Sequence, residues 1–176
     1  MARLTTAVVA AAIGMGLASS AAQAEEFPIG GPVTHHHLEI ASAYLENIST
    51  SPMPVSMAMD KDVVHLETDV HALKDNPWGY SEGSWVPYMS VDYVIRKEGD
   101  DKYLEFGRLL PMSAADGPHY ANSVKLDGKG RYTVIFKYSA PDDNGYQRHV
   151  GKETGIEQWF TPFTQSFTFN YPQKAN

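Results

Sequence analysis

Residues 62–72 read Asp-Val-Val-His-Leu-Glu-Thr-Asp-Val-His-Ala, and their alternation decides the fold class. In an extended strand successive side chains point to opposite faces. Val64, Leu66, Thr68, Val70 and Ala72 therefore share one face, and His65, Glu67, Asp69 and His71 share the other. The first row is apolar enough to be core. The second is all imidazole and carboxylate, where an ordinary solvent-facing strand would mix Thr, Ser, Lys and Arg. Neutral imidazole is the commonest protein metal ligand, and a carboxylate two residues along the same face can share its ion or hold a neighbouring one. The competing reading is a solvated acidic face with two incidental histidines.

Outward from this stretch, the same period recurs at 38–46, 85–97, 103–111, near 121–127, at 131–139 and at 163–171. These segments are rich in Val, Ile, Thr, Tyr and Phe. Turn-forming runs such as Asp75-Asn76-Pro77, Glu98-Gly99-Asp100, Asp127-Gly128-Lys129-Gly130 and Asp142-Asp143-Asn144-Gly145 separate them. Seven short strands with no ten-residue helical pattern predict an all-β chain, an antiparallel β-sandwich of immunoglobulin-like architecture. The Cys/Trp signature of antibody domains is missing, so the architecture alone is inferred. Trp85, Tyr88, Tyr132, Phe136, Trp159, Phe163, Phe167 and Phe169 read as core or interface packing. The edges of such a sheet are surfaces a dimer can cover.

Composition narrows the function. The 176 residues carry 14 basic and 21 acidic side chains, a formal charge of −7, and no cysteine. A disulfide scaffold, a cysteine zinc site, an iron–sulfur cluster, a thiol nucleophile and a lipoprotein anchor are excluded. An acidic chain is a poor partner for nucleic acid or an anionic membrane, and attracts divalent cations instead. Arg3, the small and apolar run from Ala7 to Leu17, and Ala22-Gln23-Ala24 read as an export signal cut after residue 24. The run is too short and too rich in Ala and Gly for a membrane span. The expected mature protein is one domain, residues 25–176, with no membrane span left.

Of seven histidines, three form the run His35-His36-His37, and the others are His65, His71, His119 and His149. Asp116-Gly117-Pro118-His119-Tyr120 reads as a tight turn that aims His119, and His149 follows the Asp142–Gly145 turn. Met112 opens the segment that His119 closes. Alone it reads as a packing residue; its place beside His119 makes it a candidate ligand.

Four motifs carry a resemblance: H-L-E-T-D-V-H-A at 65–72, W-V-P-Y-M at 85–89, L-P-M-S-A-A-D-G-P-H-Y at 110–120, and R-H-V-G-K-E-T-G at 148–155, followed by Trp159-Phe160. In this order they resemble the periplasmic iron-transport family, which includes the FetP-type proteins and the 34-kDa membrane antigens. The likeness runs from about Phe27 to Tyr171. It implies a periplasmic protein with an immunoglobulin-like fold and a homodimer that places each site near the partner chain. It also implies a metal site of His65, Met112, His119 and His149, with Glu67 at a second or alternative metal position, and a role in iron uptake beside an inner-membrane iron permease. His71 matches a family position without an implied role.

Three imidazoles and a thioether suit copper in either oxidation state, and the Irving–Williams order favours Cu(II). A carboxylate from Glu67 makes the site more hospitable to Fe(II), or to Mn(II) as its surrogate. The family associates copper with the same site, and the sequence leaves open whether copper is cargo, cofactor or adventitious. Where relatives carry Gly-Met before the Glu-Ile of the first strand, this chain has His37-Leu38. The His35–His37 run reads either as an exposed segment with adventitious metal affinity or as a replacement capture arm.

Other classes fare worse. A blue-copper carrier needs a Cys thiolate, a zinc hydrolase rarely uses Met, and no Ser stands in a nucleophile elbow. A binding protein is expected rather than an enzyme. The strongest alternative is a periplasmic copper-binding or copper-chaperone protein with no part in iron uptake. A third is an adhesive sandwich whose His and Met positions are mere packing.

Overall fold

The computed structural model describes residues 25–52 and 61–173. The expected export signal at 1–24 lies outside the described residues. Eight strands follow in order: β1 (Glu26–His35), β2 (Leu38–Leu45), β3 (Val63–Ala72), β4 (Ser90–Lys97), β5 (Asp100–Ala114), β6 (Gly117–Lys125), β7 (Gly130–Ser139) and β8 (Phe163–Tyr171). One 3-10 turn, Pro141–Asn144, follows β7 and ends on Gly145 in the left-handed region. Every pairing is antiparallel, and the spatial order is β1-β2-β3-β6-β5-β4-β7-β8.

The all-β antiparallel expectation holds, and all seven expected strands are present. The eighth is β1, whose alternation is broken by Gly30-Gly31-Pro32 and whose pairing with β2 shifts register on both sides of Gly30. The segment expected to start at Trp85 starts as a strand only at Ser90; Trp85 itself makes an isolated bridge to His71. The expected turn 116–120 is mostly strand. The turn proper is Ala115-Asp116, because Pro118 stands beyond the last β3 partner of β6, where no amide is needed on that side.

The fifteen-residue β5 organises the fold. Its first part pairs with β4 through Leu109, and its last five residues pair with β6 from Leu110 to Ala114. One strand thus crosses from one half of the sandwich to the other. At the opposite side β1 and β8 lie against each other. Gln173 donates to the Pro28 carbonyl at 3.0 Å, and its amide donates to the Tyr44 hydroxyl at 2.8 Å. A Cβ on Gly30 would stand 1.9 Å from the Phe167 ring, so no side chain fits there.

The apolar row of β3 is core: Val64, Leu66 and Val70 are at most 1% exposed. Thr68, also fully buried, ties the halves together. Its hydroxyl donates to the Ala41 carbonyl (3.0 Å) and accepts from Ser42 Oγ (2.9 Å), so the Tyr138 hydroxyl at 2.9 Å must be a donor to it. Burial pushes the Tyr138 phenol above its ordinary range, keeping it protonated for this role.

Candidate metal centre

The second row of β3 is also buried. His65 and Glu67 are 5% and 9% exposed, and His119 of β6 is 7% exposed. Strand pairing explains their meeting. Glu67 faces Ala121 across the β3–β6 ladder, two residues from His119 on the same face, and Met112 of β5 lies directly opposite His119. Three neighbouring strands therefore bring His65, Glu67, His119 and Met112 to one face of the sheet.

The geometry is that of a ligand set. Glu67 Oε2 stands 3.7 Å from His65 Nε2 and 3.6 Å from His119 Nε2. These separations are too long for good hydrogen bonds. The rings of His65 and His119 stand at 89° with centroids 5.8 Å apart. One ligand atom from each of His65, Glu67 and His119 lies within 4.8 Å of the others, the grouping of this kind found among the described residues. His65 Nδ1 and His119 Nε2 are buried without a hydrogen-bond partner. Buried polar atoms are nearly always satisfied, so orphaned imidazole nitrogens around a carboxylate suit a cation.

Electrostatics agree. Burial, reinforced by His119, pushes His65 down to about 4, so its ring is neutral and its lone pair free near pH 7. Burial, reinforced by Asp69, Glu26 and Asp116, pushes Glu67 up to about 8. Asp69 is raised by burial and Asp116, against the opposing pull of His119 and His71. Crowded, poorly solvated carboxylates are costly when charged, and a cation relieves that cost while releasing protons.

Two cavities meet at Glu67, Asp116 and His119. One, of about 550 Å³, also touches His65, Met112 and the 48–51 segment. The other, of about 390 Å³, is lined by Glu26, Asp69, His71 and Trp85. Glu67 and His119 thus form a wall between a side bearing a thioether and a side bearing carboxylates.

The sequence-named residues divide. His65, Glu67, Met112 and His119 come together. Met112 and His119 do so as opposed residues of a β-hairpin, not as the ends of a loop. His149 does not join them within the chain: it is exposed, its Nδ1 lies 3.0 Å from Thr154 Oγ1, and its carbonyl accepts from Ile156. His71 borders the acidic cavity. The His35–His37 run is exposed in part, as expected, but forms the β1–β2 turn, with His36 and His37 at φ of 48° and 60°. Its rings are engaged within the chain: His35 bonds Gln165, His35 and His36 both pack against Phe163, and His37 pairs with Asp75 at 3.2 Å. Asp116, Glu26 and Trp85 were not singled out as site residues. Asp116 had a signal, its place in D-G-P-H; Glu26 had none, because β1 was unread.

Residues 23–173 match the family described as Fe2+ transport protein. A UPF0423 protein of Brucella abortus is 41% identical over 169 residues, covering 94% of this chain and 92% of that protein. The 34 kDa membrane antigen of Treponema pallidum is 34% identical over 146 residues, 81% of this chain and 71% of the antigen. Among solved structures, copper-reconstituted P19 from Campylobacter jejuni superposes with a TM-score of 0.78 at 38% identity, covering 86% and 99% of the two chains. A copper-bound variant of FetP from uropathogenic Escherichia coli strain F11 gives 0.78 at 36% identity, covering 84% and 98%.

Proposed function

The chain belongs to the Fe2+ transport protein family, and from that premise we propose that it binds copper and iron in the periplasm as part of iron acquisition. The observation that carries this reading is the buried His65–Glu67–His119 group with its two orphaned imidazole nitrogens, opposite Met112. His65, Met112 and His119 would hold copper, whose soft and borderline preferences they match, and Glu67 adds the oxygen donor that Fe(II) favours. The chain is similar to a copper-bound FetP variant and to copper-reconstituted P19, and likeness to both supports copper at this site. Bound copper supplies a tight, redox-capable ion; iron is cargo.

The remaining ligand is His149, supplied by a partner subunit of a homodimer. Exposed and turned to Thr154 in its own chain, it is available to another. The export signal is cleaved after residue 24, leaving residues 25–176 as one domain, and the protein hands its iron to an inner-membrane permease. The protein holds and passes metal and performs no catalysis.

The test is metal titration with Cu(II) and with anaerobic Fe(II), on wild type and on the His65→Ala/His119→Ala double variant. About one copper per chain in wild type and none in the variant supports the site; equal binding by both places the metal elsewhere, with the His35–His37 turn the first suspect. Met112 favours a second reading, a copper protein with no part in iron uptake. Iron-limited growth separates the two: loss of the gene slows growth only under the first.

A further inference from the structure

Between β7 and β8 the chain runs from Ala140 to Pro162 with one short 3-10 turn and no strand. Connections of that length are uncommon in a compact domain and are usually functional or unstructured. This one is pinned at both ends. At its start the Gly145 amide bonds to the Asp142 carbonyl at 2.9 Å, Asn144 donates to the Tyr88 carbonyl at 2.7 Å and to Ser90 Oγ at 2.8 Å, and the Tyr146 ring stacks on that of Tyr88 at 5.0 Å. At its end Trp159 and Phe160 are buried, and the Gln158 carbonyl accepts from the Trp78 indole at 3.3 Å. The lobe between these anchors, residues 149–155, is exposed throughout.

That lobe closes on itself. The Gly155 amide donates to the Gly151 carbonyl at 2.7 Å and the Ile156 amide to the His149 carbonyl at 3.0 Å, while Arg148 Nη1 donates to the Ile156 carbonyl at 3.2 Å. A Cβ on Gly155 would stand 2.5 Å from the Gly151 carbonyl oxygen, so the closure requires glycine there. It brings residue 154 back to residue 149: His149 Nδ1 and Thr154 Oγ1 lie 3.0 Å apart. Nothing among the described residues engages the other ring nitrogen, Nε2.

Stability does not account for this pair. Both side chains are exposed, and water offers each the same hydrogen bond, so the exchange gains little. What the pair fixes is the ring. A neutral imidazole carries one proton, and the hydrogen bond made at one nitrogen decides which of the two keeps it. Free in water, a histidine side chain favours the proton on Nε2, which then has no lone pair to give. A hydroxyl oxygen beside Nδ1 accepts a hydrogen bond there and leaves the lone pair on Nε2. Imidazoles that ligate metals regularly have their second nitrogen held in this way.

We propose that Thr154 is the positioning residue of His149: its hydroxyl oxygen accepts from Nδ1–H, so that the lobe presents a bare, outward Nε2 to the metal site of a partner subunit. The proposal rests on the reading above that His149 completes that site. A ligand offered from an exposed loop has no surrounding core to order it. The Gly151–Gly155 closure fixes its backbone and Thr154 fixes its ring and its proton, so little is left to order when the ion is met.

Two measurements test this. Nitrogen NMR of the metal-free protein, with isotope-labelled histidine and at a pH above the imidazole range, separates protonated from bare ring nitrogens by their shifts. The expected result is His149 with Nδ1 protonated and Nε2 bare, a move of the proton toward Nε2 in Thr154→Val, and recovery in Thr154→Ser. A wild-type ring protonated on Nε2, or one that ignores Thr154→Val, overturns the proposal. The second measurement is copper affinity by competition titration. Thr154→Val lowers it about tenfold, the lower end of what loss of a group holding a metal-ligating histidine costs, and Thr154→Ser restores it. In a His149→Ala background Thr154→Val has no further effect; a loss of the same size there overturns the proposal, because Thr154 then acts through something other than His149. His149→Ala also separates the two levels. Copper affinity untouched by it refutes the underlying ligand reading, whereas an affinity that falls with His149→Ala yet ignores Thr154→Val overturns the positioning role alone.

Discussion

Met112 in β5 lies directly opposite His119 in β6, across the two-residue turn Ala115-Asp116. One hairpin therefore delivers a thioether and an imidazole at a spacing fixed by its own register. Glu67, the oxygen donor, comes from another strand. Soft and hard donors are thus separable by mutation.

Met112→Leu keeps the volume and removes the soft donor, so Cu affinity falls by roughly 10- to 100-fold, a span seen when a metal site loses a supporting group, while Fe(II) affinity changes little. Glu67→Gln does the reverse. Competition titrations against chelators of known affinity measure both. Equal losses for both metals in both variants contradict this division.

The metal-free protein loses stability toward both ends of the pH scale. Glu67 is raised from 4.5 to about 8 in the fold, so its contribution is full below pH 4.5 and disappears as pH rises through 8. His65 is lowered from 6.5 to about 4, so its contribution is full above pH 6.5 and disappears as pH falls through 4. Urea unfolding across this range checks it: Glu67→Gln flattens the alkaline limb and His65→Phe the acid limb. Metal affinity itself climbs as pH approaches 8, because binding displaces the Glu67 proton.

If His149 acts across a dimer, two defective chains repair each other. A His149→Ala chain and a His65→Ala/His119→Ala chain each form crippled homodimers. Mixed and allowed to exchange, they form heterodimers with one complete site, built on the first chain and closed by the intact His149 of the second. Copper binding then rises above that of either parent. No recovery in a verified heterodimer places His149 outside the site.

Thr68→Val removes a hydroxyl but little volume. It leaves the Ser42 and Tyr138 hydroxyls and the Ala41 carbonyl short of a partner, costing about 1–3 kcal/mol. The urea midpoint should fall with an unchanged slope, and metal binding should persist, since Thr68 points to the opposite face of β3 from Glu67.

The site was legible where one strand carried it and faint where topology did. The alternation at 62–72 exposed both the core row and the ligand row, because the period-two geometry of a strand is local. Met112 and His119 were named, yet their arrangement was misread. Gly117 and Pro118 announce a turn, and only the pairing of β6 with both β3 and β5 makes 117–120 a strand. β1 escaped notice because Gly30-Gly31-Pro32 lacks the side chains that mark a strand; Gly30 is glycine because Phe167, 137 residues later, occupies the space. Glu26, on that unread strand, could not be linked to Glu67. The positive φ of Tyr88 (62°), likewise, is accompanied by a hydrogen bond to its carbonyl from Asn144, and nothing in the neighbouring sequence announces it.

The contact of β1 with β8 bears on assembly. Sheet edges looked open in the sequence, ready for a second copy to add its own strand. Instead the two outermost strands shelter each other, with Gln173 latched onto Pro28 and Phe167 seated over Gly30. A strand adding at that side would first have to displace these contacts. If copies of this protein pair, as proposed, an interface of side chains comes more cheaply than an added strand, and such an interface can part without either fold unravelling.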